Sequence, residues 1–164
     1  MGGGRNKVPL DVLERYDPKK NTWEKRAPMP TKREHIAAVS CGGKLYVLGG
    51  YAGTRFNNLT TNEVYDPHTD TWKTLASLPY PVSGFSSAAI GESIFIFGGE
   101  QGWAVSGEIH EYKIRVNRWI RRSDLPAARY ASTATTFGKS IFVIGGSSIL
   151  MGEDFRSEND IFTP

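Results

Sequence analysis

A single cysteine, Cys41, is the whole thiol inventory of this 164-residue chain. One thiol excludes an intrachain disulfide and a cysteine-rich metal site, and its place in an apolar run just before a turn predicts a buried structural thiol. Long hydrophobic runs are missing too. No stretch approaches the roughly 18 apolar residues that a membrane-spanning helix needs, so no membrane partner is expected. Charge of one sign is scarce: 20 Lys and Arg face 17 Asp and Glu, a net charge of +3. The densest basic run, 115–122, surrounds Trp119 and is expected to decorate an exposed strand, which argues against a nucleic-acid partner. The first residues, Met-Gly-Gly-Gly-Arg-Asn, lack an apolar signal segment, and Asn6 stands where a myristoylation motif takes Ser or Thr. A cytoplasmic protein with a flexible lead over 1–9 is the expectation. On that view the sequon Asn58-Leu59-Thr60 carries no glycan.

What the chain does have is 18 glycines, 9 prolines and 12% aromatic residues, a balance that suits an all-β chain with many turns. These residues recur in order. Tyr16, Trp23, Pro30 and Gly49-Gly50 are followed by Tyr65, Trp72, Pro79 and Gly98-Gly99, and then by Tyr112, Trp119, Pro126 and Gly145-Gly146. Tyr to Trp is always 7 residues, Trp to Pro 7, and Trp to the first Gly 26, with a period of 49 and then 47. Such a period means stacked repeats.

Each repeat reads as four short strands. Strand A (44–48, 93–97, 140–144) is apolar on both faces, ends in Gly-Gly and is expected to be innermost. Strand B precedes a turn, Asp17-Pro18-Lys19-Lys20-Asn21 or Asp66-Pro67-His68-Thr69-Asp70, which the third copy replaces with Lys113-Ile114-Arg115-Val116-Asn117. Strand C carries the Trp. Strand D is small and apolar (36–40, 86–90, 132–137), and a tight turn leads from it to the next strand A. Helical repeats of similar length are excluded, because no segment sustains a 3.6-residue apolar period. Four antiparallel strands in nearly 50 residues are the content of one β-propeller blade.

Glu63-Val64-Tyr65-Asp66-Pro67, then Thr69-Asp70-Thr71-Trp72, then Leu78-Pro79, all following Gly-Gly, resemble the kelch repeat over nearly the whole chain from Leu10 onward. The resemblance implies an all-β, kelch-type propeller of four-stranded antiparallel blades. About three blades per chain make a half propeller, with blades around 10–45, 46–92 and 93–139 and a partial blade at 140–164. The segment Asn159 to Pro164 echoes Asn62 to Pro67, which duplicates strand B at the two ends of the array. Three blades leave open edges and apolar faces. The expectation is therefore a homo-oligomer, three plus three blades in a dimer, or a piece of a longer propeller.

In an up-and-down blade the A to B and C to D connections share one face. The long variable loops 51–61, 100–107 and 147–158 fall there, where binding usually resides. The kelch resemblance implies that an Arg three residues after the repeat Pro contributes to a central pocket. Arg33 and Arg129 match; Val82 departs. The residue after Gly-Gly, Tyr51 or Glu100, is a contact in related adaptors. His35, Arg55, Phe85, Gln101, Trp103 and Tyr130 join Arg33, Tyr51 and Arg129 as candidate binding residues on this face. Guanidinium groups, aromatics and amides suit an acidic or polar peptide, a carboxylate or a sugar.

Catalytic signatures are missing. His35, His68 and His110 occupy three different repeat positions, so neither a metal site nor a cofactor is expected. No Gly-x-Ser-x-Gly elbow occurs, and Gly138-Lys139-Ser140 lies in a hairpin turn rather than a phosphate loop. Two readings result: a non-catalytic scaffold that recognises a protein or peptide partner, and a sugar-acting enzyme resembling the sialic-acid mutarotases, with Arg33, Glu34, His35 and Arg129 in its pocket.

Overall fold

A computed structural model describes residues 4–5, 8–53, 57–150 and 154–164. Fifteen strands occupy it. They are β1 (Gly4–Arg5), β2 (Val8–Pro9), β3 (Leu13–Asp17), β4 (Thr22–Arg26), β5 (Ala37–Cys41), β6 (Lys44–Leu48), β7 (Asn62–Asp66), β8 (Thr71–Thr74), β9 (Ser86–Ile90), β10 (Ser93–Gln101), β11 (Ala104–Lys113), β12 (Arg118–Arg121), β13 (Thr133–Phe137), β14 (Ser140–Ile144) and β15 (Asn159–Phe162). Most of the expected lead 1–9 lies outside the described residues, and its described part is the small β1-β2 ladder.

Two complete blades, β5-β6-β7-β8 and β9-β10-β11-β12, are flanked by a two-stranded sheet β3-β4 and a three-stranded sheet β13-β14-β15. All ladders are antiparallel, and the repeat Tyr and Trp face each other across each of them: Tyr16 with Trp23, Tyr65 with Trp72, Tyr112 with Trp119. The half-propeller expectation holds in strand content. The expected order within a blade does not. Strand D, not strand A, is innermost, because β5, β9 and β13 pack side by side while each Gly-Gly strand lies second in its sheet.

The physical reason is the Gly42-Gly43 turn. With both residues at positive φ, it closes a hairpin between β5 and β6 in which Cys41 pairs with Lys44, and hairpin partners share a sheet. A boundary at 45/46 therefore cuts through β6. Boundaries at 92/93 and 139/140 fall in the turns and separate the partners of the β9-β10 and β13-β14 hairpins. Small residues in the inner strands, such as Ser-Ser-Ala-Ala over 86–89, let neighbouring sheets converge.

Apolar faces fill the space between blades. Tyr46, Leu48 and Val64 of one blade meet Ile94, Ile96 and Tyr112 of the next in one cluster; Phe95, Phe97 and Ile109 meet Ile141 and Val143 in a second. Cys41 lies at the first junction, half-buried, with its thiol donating to the Gly91 carbonyl at 3.3 Å. Burial pushes that thiol's pKa up.

Polar links repeat at each junction. Trp72 Nε1 donates to the Ala27 carbonyl at 2.8 Å, and Trp119 Nε1 to Ala76 at 3.0 Å. In return the Ala27 amide donates to Asp70 Oδ1 at 3.0 Å and the Ala76 amide to Asn117 Oδ1 at 2.9 Å. Trp23 differs: it is 67% exposed, and among the described residues no complete blade precedes its sheet. The third turn, which lacks Asp-Pro, is held by a single 3-10 turn at Ile114–Val116, closed by the Asn117 amide on the Ile114 carbonyl at 3.3 Å.

Candidate functional site

The corrected strand order preserves the parity of the connections, so the loops after β6, β10 and β14 share one face with those entering β5, β9 and β13. On that face each Gly-Gly pair bends the chain into positive φ and close approach. A Cβ on Gly49 would lie 2.5 Å from the Val82 carbonyl oxygen, and one on Gly98 would lie 2.2 Å from that of Arg129. Only glycine lets the second strand come so near the loop of the following blade. The next residue then bridges to the inner loop: Glu34 with Tyr51, Ser83 with Glu100, Tyr130 with Ser147.

Arg33 and Arg129 are not presented to a ligand. Arg33 is fully buried, and its guanidinium donates to Glu63 Oε2 at 2.7 Å and to the carbonyls of Gly49, Thr61 and Val47 at 2.9, 3.1 and 3.2 Å. Burial pulls its pKa down, while the Glu63 carboxylate beside it opposes that shift. Arg129, 1% exposed, pairs with Asp160 and caps the Gly145 carbonyl at 3.4 Å. Both pin the Gly-Gly bend to the third strand of their own sheet.

The acid that each arginine needs sits two residues before the repeat aromatic: Glu63 before Tyr65, Asp160 before Phe162. In the middle repeat both partners change together, to Val82 and His110. That paired exchange was present in the sequence, and it is the signal that would have assigned the arginines to the scaffold. His110 is buried and its Nε2 lies 2.9 Å from Glu108, with Tyr80 edge-on at 5.1 Å. Burial pushes Tyr80 up to about 12.

The remaining candidates divide. Phe85 is buried beneath Gly49 and Gly99. Tyr51, 9% exposed, stacks on His35 at 4.8 Å and 26°, so His35 forms the exposed half of that pair. Tyr130 and Glu100 flank Gly84, 3.6 and 3.9 Å from the place of its missing Cβ. Gln101 pairs with Ala104 to close the two-residue tip Gly102-Trp103 of the β10-β11 hairpin, where Gly102 has φ +62 and Trp103 is 75% exposed. Arg55 lies outside the described residues.

His35, Gly84 and Ala131 share one further feature that the sequence did not disclose. All three have left-handed backbone, φ 52, 59 and 53, and they are linked in series: the Gly84 amide donates to His35 at 3.1 Å and the Ala131 amide to Gly84 at 2.6 Å. Strained non-glycine residues at the mouth of a scaffold persist only where their surroundings hold them. Below this mouth a groove of about 210 Å³ runs along the inner strands, lined by residues such as Ala38, Ser87, Ser132 and Thr133. Among the described residues no group of three or more His, Cys, Asp and Glu converges on a metal position. The mouth offers aromatic edges, an imidazole and small hydroxyls: chemistry for contact and hydrogen bonding.

Three comparisons bear on this architecture. The sequence profile of the KLHDC2/KLHL20/DRC7 Kelch-repeats domain matches residues 1–146. Human Kelch-like protein 4 is 46% identical over 48 residues, 29% of this chain and 7% of that protein. Kelch-like protein 8 of Caenorhabditis elegans is 41% identical over 54 residues, 32% of this chain and 8% of that protein. The chain thus spans less than a tenth of the curated relatives it matches. Among solved structures, YjhT superposes with a TM-score of 0.82 at 18% identity, covering 95% of this chain and 50% of YjhT, which shows the fold. With the Tyr, Trp, Pro and Gly-Gly positions placed in register through successive blades and the profile spanning most of its length, the chain belongs to the kelch-repeat family.

Proposed function

We propose that this chain is a non-catalytic binding scaffold whose long-loop face recognises a protein or peptide partner. One observation carries the reading. Trp103 is held at the tip of a tight hairpin that rises from the buried strand β10, on the same face as His35 and Tyr130. An exposed aromatic on a rigid support offers contact area at low entropic cost, the property that binding hot spots share. Membership of a family that includes Kelch-like proteins supports a scaffold role in general. A cytoplasmic setting belongs to this reading, and no described helix is long and apolar enough to cross a membrane.

The sugar-acting reading has no such support. It requires arginines facing an acidic sugar, and Arg33 and Arg129 give their guanidinium groups to Glu63 and Asp160.

Selection of a displayed random-peptide library on the purified chain, followed by calorimetry of the recovered peptides, tests the proposal. Trp103→Ala and His35→Ala are each expected to weaken binding at least about tenfold while thermal stability stays within a degree or two. Recovered peptides that bind both variants as well as the parent would overturn it. N-acetylneuraminate at millimolar concentration is expected to leave the tryptophan fluorescence unchanged.

A further inference from the structure

The basic run around Trp119 has no role in the loop-face reading. Residues 113–122 hold Lys113, Arg115, Arg118, Arg121 and Arg122 with no acid among them, and they close the β11-β12 hairpin, whose turn lies on the face opposite the long loops. The matching hairpins carry the opposite sign at this end. There the last ladder pair sets Asp17 against Thr22 and Asp66 against Thr71, and each Asp carboxylate accepts an amide hydrogen bond from its own turn. In β11-β12 the same ladder position sets Lys113 against Arg118. Side chains directly opposite in an antiparallel ladder share a face, so two cations there repel and cost stability.

The surroundings relieve only part of that repulsion. Lys113 Nζ lies 2.5 Å from Glu111 and donates to Ser93 Oγ at 3.3 Å, but Glu111 is shared with Arg122. Arg118 is exposed and makes no ion pair among the described residues, and Arg115, its side chain 79% exposed, meets Glu92 at 3.6 Å from Nε. Lys113 and Arg115 line an open cavity of about 530 Å³ together with Val116, which is 68% exposed. This exposure belongs to the hairpin and not to its place in the chain. His68, Thr69 and Thr71, at the positions of Arg115, Val116 and Arg118, are exposed although a complete sheet follows theirs.

We infer that this corner of the β9-β12 sheet binds an extended acidic peptide, whose carboxylates settle on Lys113, Arg115 and Arg118 and whose apolar side chain covers Val116. An anion held between Lys113 and Arg118 turns their repulsion into two attractions, which gives the like-charge pair a use that the matching hairpins lack. Two features favour a peptide over a nucleic acid. Trp119, the aromatic of this run, is turned inward, its Nε1 donating to the Ala76 carbonyl, so it offers no platform for a base. Strand β12 is the outermost of its sheet, and among the described residues no strand pairs with its outer edge, so an extended chain can add its main chain there.

The corner lies apart from His35 and Trp103, so its test is independent of the loop-face reading. A fluorescein-labelled peptide of repeated Glu-Glu-Val, followed by fluorescence anisotropy at low salt, is expected to bind the purified chain saturably and to weaken as salt is added. Arg118→Thr, which installs the residue found at Thr22 and Thr71, is expected to weaken binding at least about fivefold while thermal stability stays equal or rises, because the like-charge pair is gone. Arg115→Glu with Arg118→Glu is expected to abolish binding. Lys19→Glu with Lys20→Glu, an equal charge change on the β3-β4 turn, is expected to alter affinity less than about twofold. Absence of saturable binding, an Arg118→Thr chain that binds as the parent does or is less stable, or an equal loss in the Lys19 and Lys20 variant would each overturn the inference. Tighter binding of a single-stranded oligonucleotide of the same charge would overturn it in favour of a nucleic acid.

Discussion

At the scale of single residues, the decisive fact is how each buried charge is matched. Arg33 and Glu63 are both withdrawn from water, and removing one partner strands the other. Arg33→Met is therefore expected to cost about 3 to 5 kcal/mol in urea unfolding. Arg33→Val together with Glu63→His copies the Val82 and His110 arrangement of the middle repeat, and is expected to recover a large part of that loss. A tryptophan pinned between blades should behave similarly: Trp72→Ala, which removes both the packed ring and the bond to the Ala27 carbonyl, is expected to cost about 3 kcal/mol. Equal stability of parent and Trp72→Ala would contradict the blade junction described above. The sequence made Arg33 and Arg129 conspicuous without showing their partners. Their spacing from proline was visible, whereas the carboxylate that each one meets arrives from a strand about thirty residues away.

Within the elements, the Gly-Gly strand ends set the geometry of the loop face. Gly98→Ala would drive a Cβ into the Arg129 carbonyl and hold alanine at φ +64, so a loss above about 2 kcal/mol is expected. Gly42→Ala, in a hairpin turn with no atom within 4 Å of the added Cβ, meets only the backbone cost of positive φ, about 1 kcal/mol. Chemical denaturation of the two variants side by side separates crowding from strain. Strand existence was legible at this scale, because short β-branched and aromatic runs bounded by turns have few other outcomes. Strand order was not. The same four strands satisfy the pattern whether the hairpin 37–48 lies inside one blade or straddles two, and only the pairing of Cys41 with Lys44 decides.

For the whole molecule, the buried tyrosines predict a limit on the alkaline side. Burial raises Tyr112 to about 12 and Tyr80 likewise. In the unfolded chain these phenols lose their protons near pH 10, so the folded state, which keeps them, holds its full stability below that pH and loses it as pH rises toward 12. Each contributes a slope of about 1.4 kcal/mol per pH unit in that window. Urea midpoints are expected to be flat from pH 7 to 9 and to fall steeply between 10 and 12. Tyr80→Phe should soften the fall, and a flat profile would mean that neither phenol is buried in solution.

The sequence by itself determined the repeat period, the antiparallel four-stranded blade, the number of blades and the face on which the variable loops lie, because spacing and turn chemistry are local properties that survive without a third dimension. Tertiary structure alone decided which strand is innermost, that Phe85 is buried, that His35 and Trp103 stand exposed, and that His35, Gly84 and Ala131 form one hydrogen-bonded series. Those outcomes depend on contacts between residues roughly 30 to 50 positions apart. At such separations a linear pattern gives the residue types but not their partners.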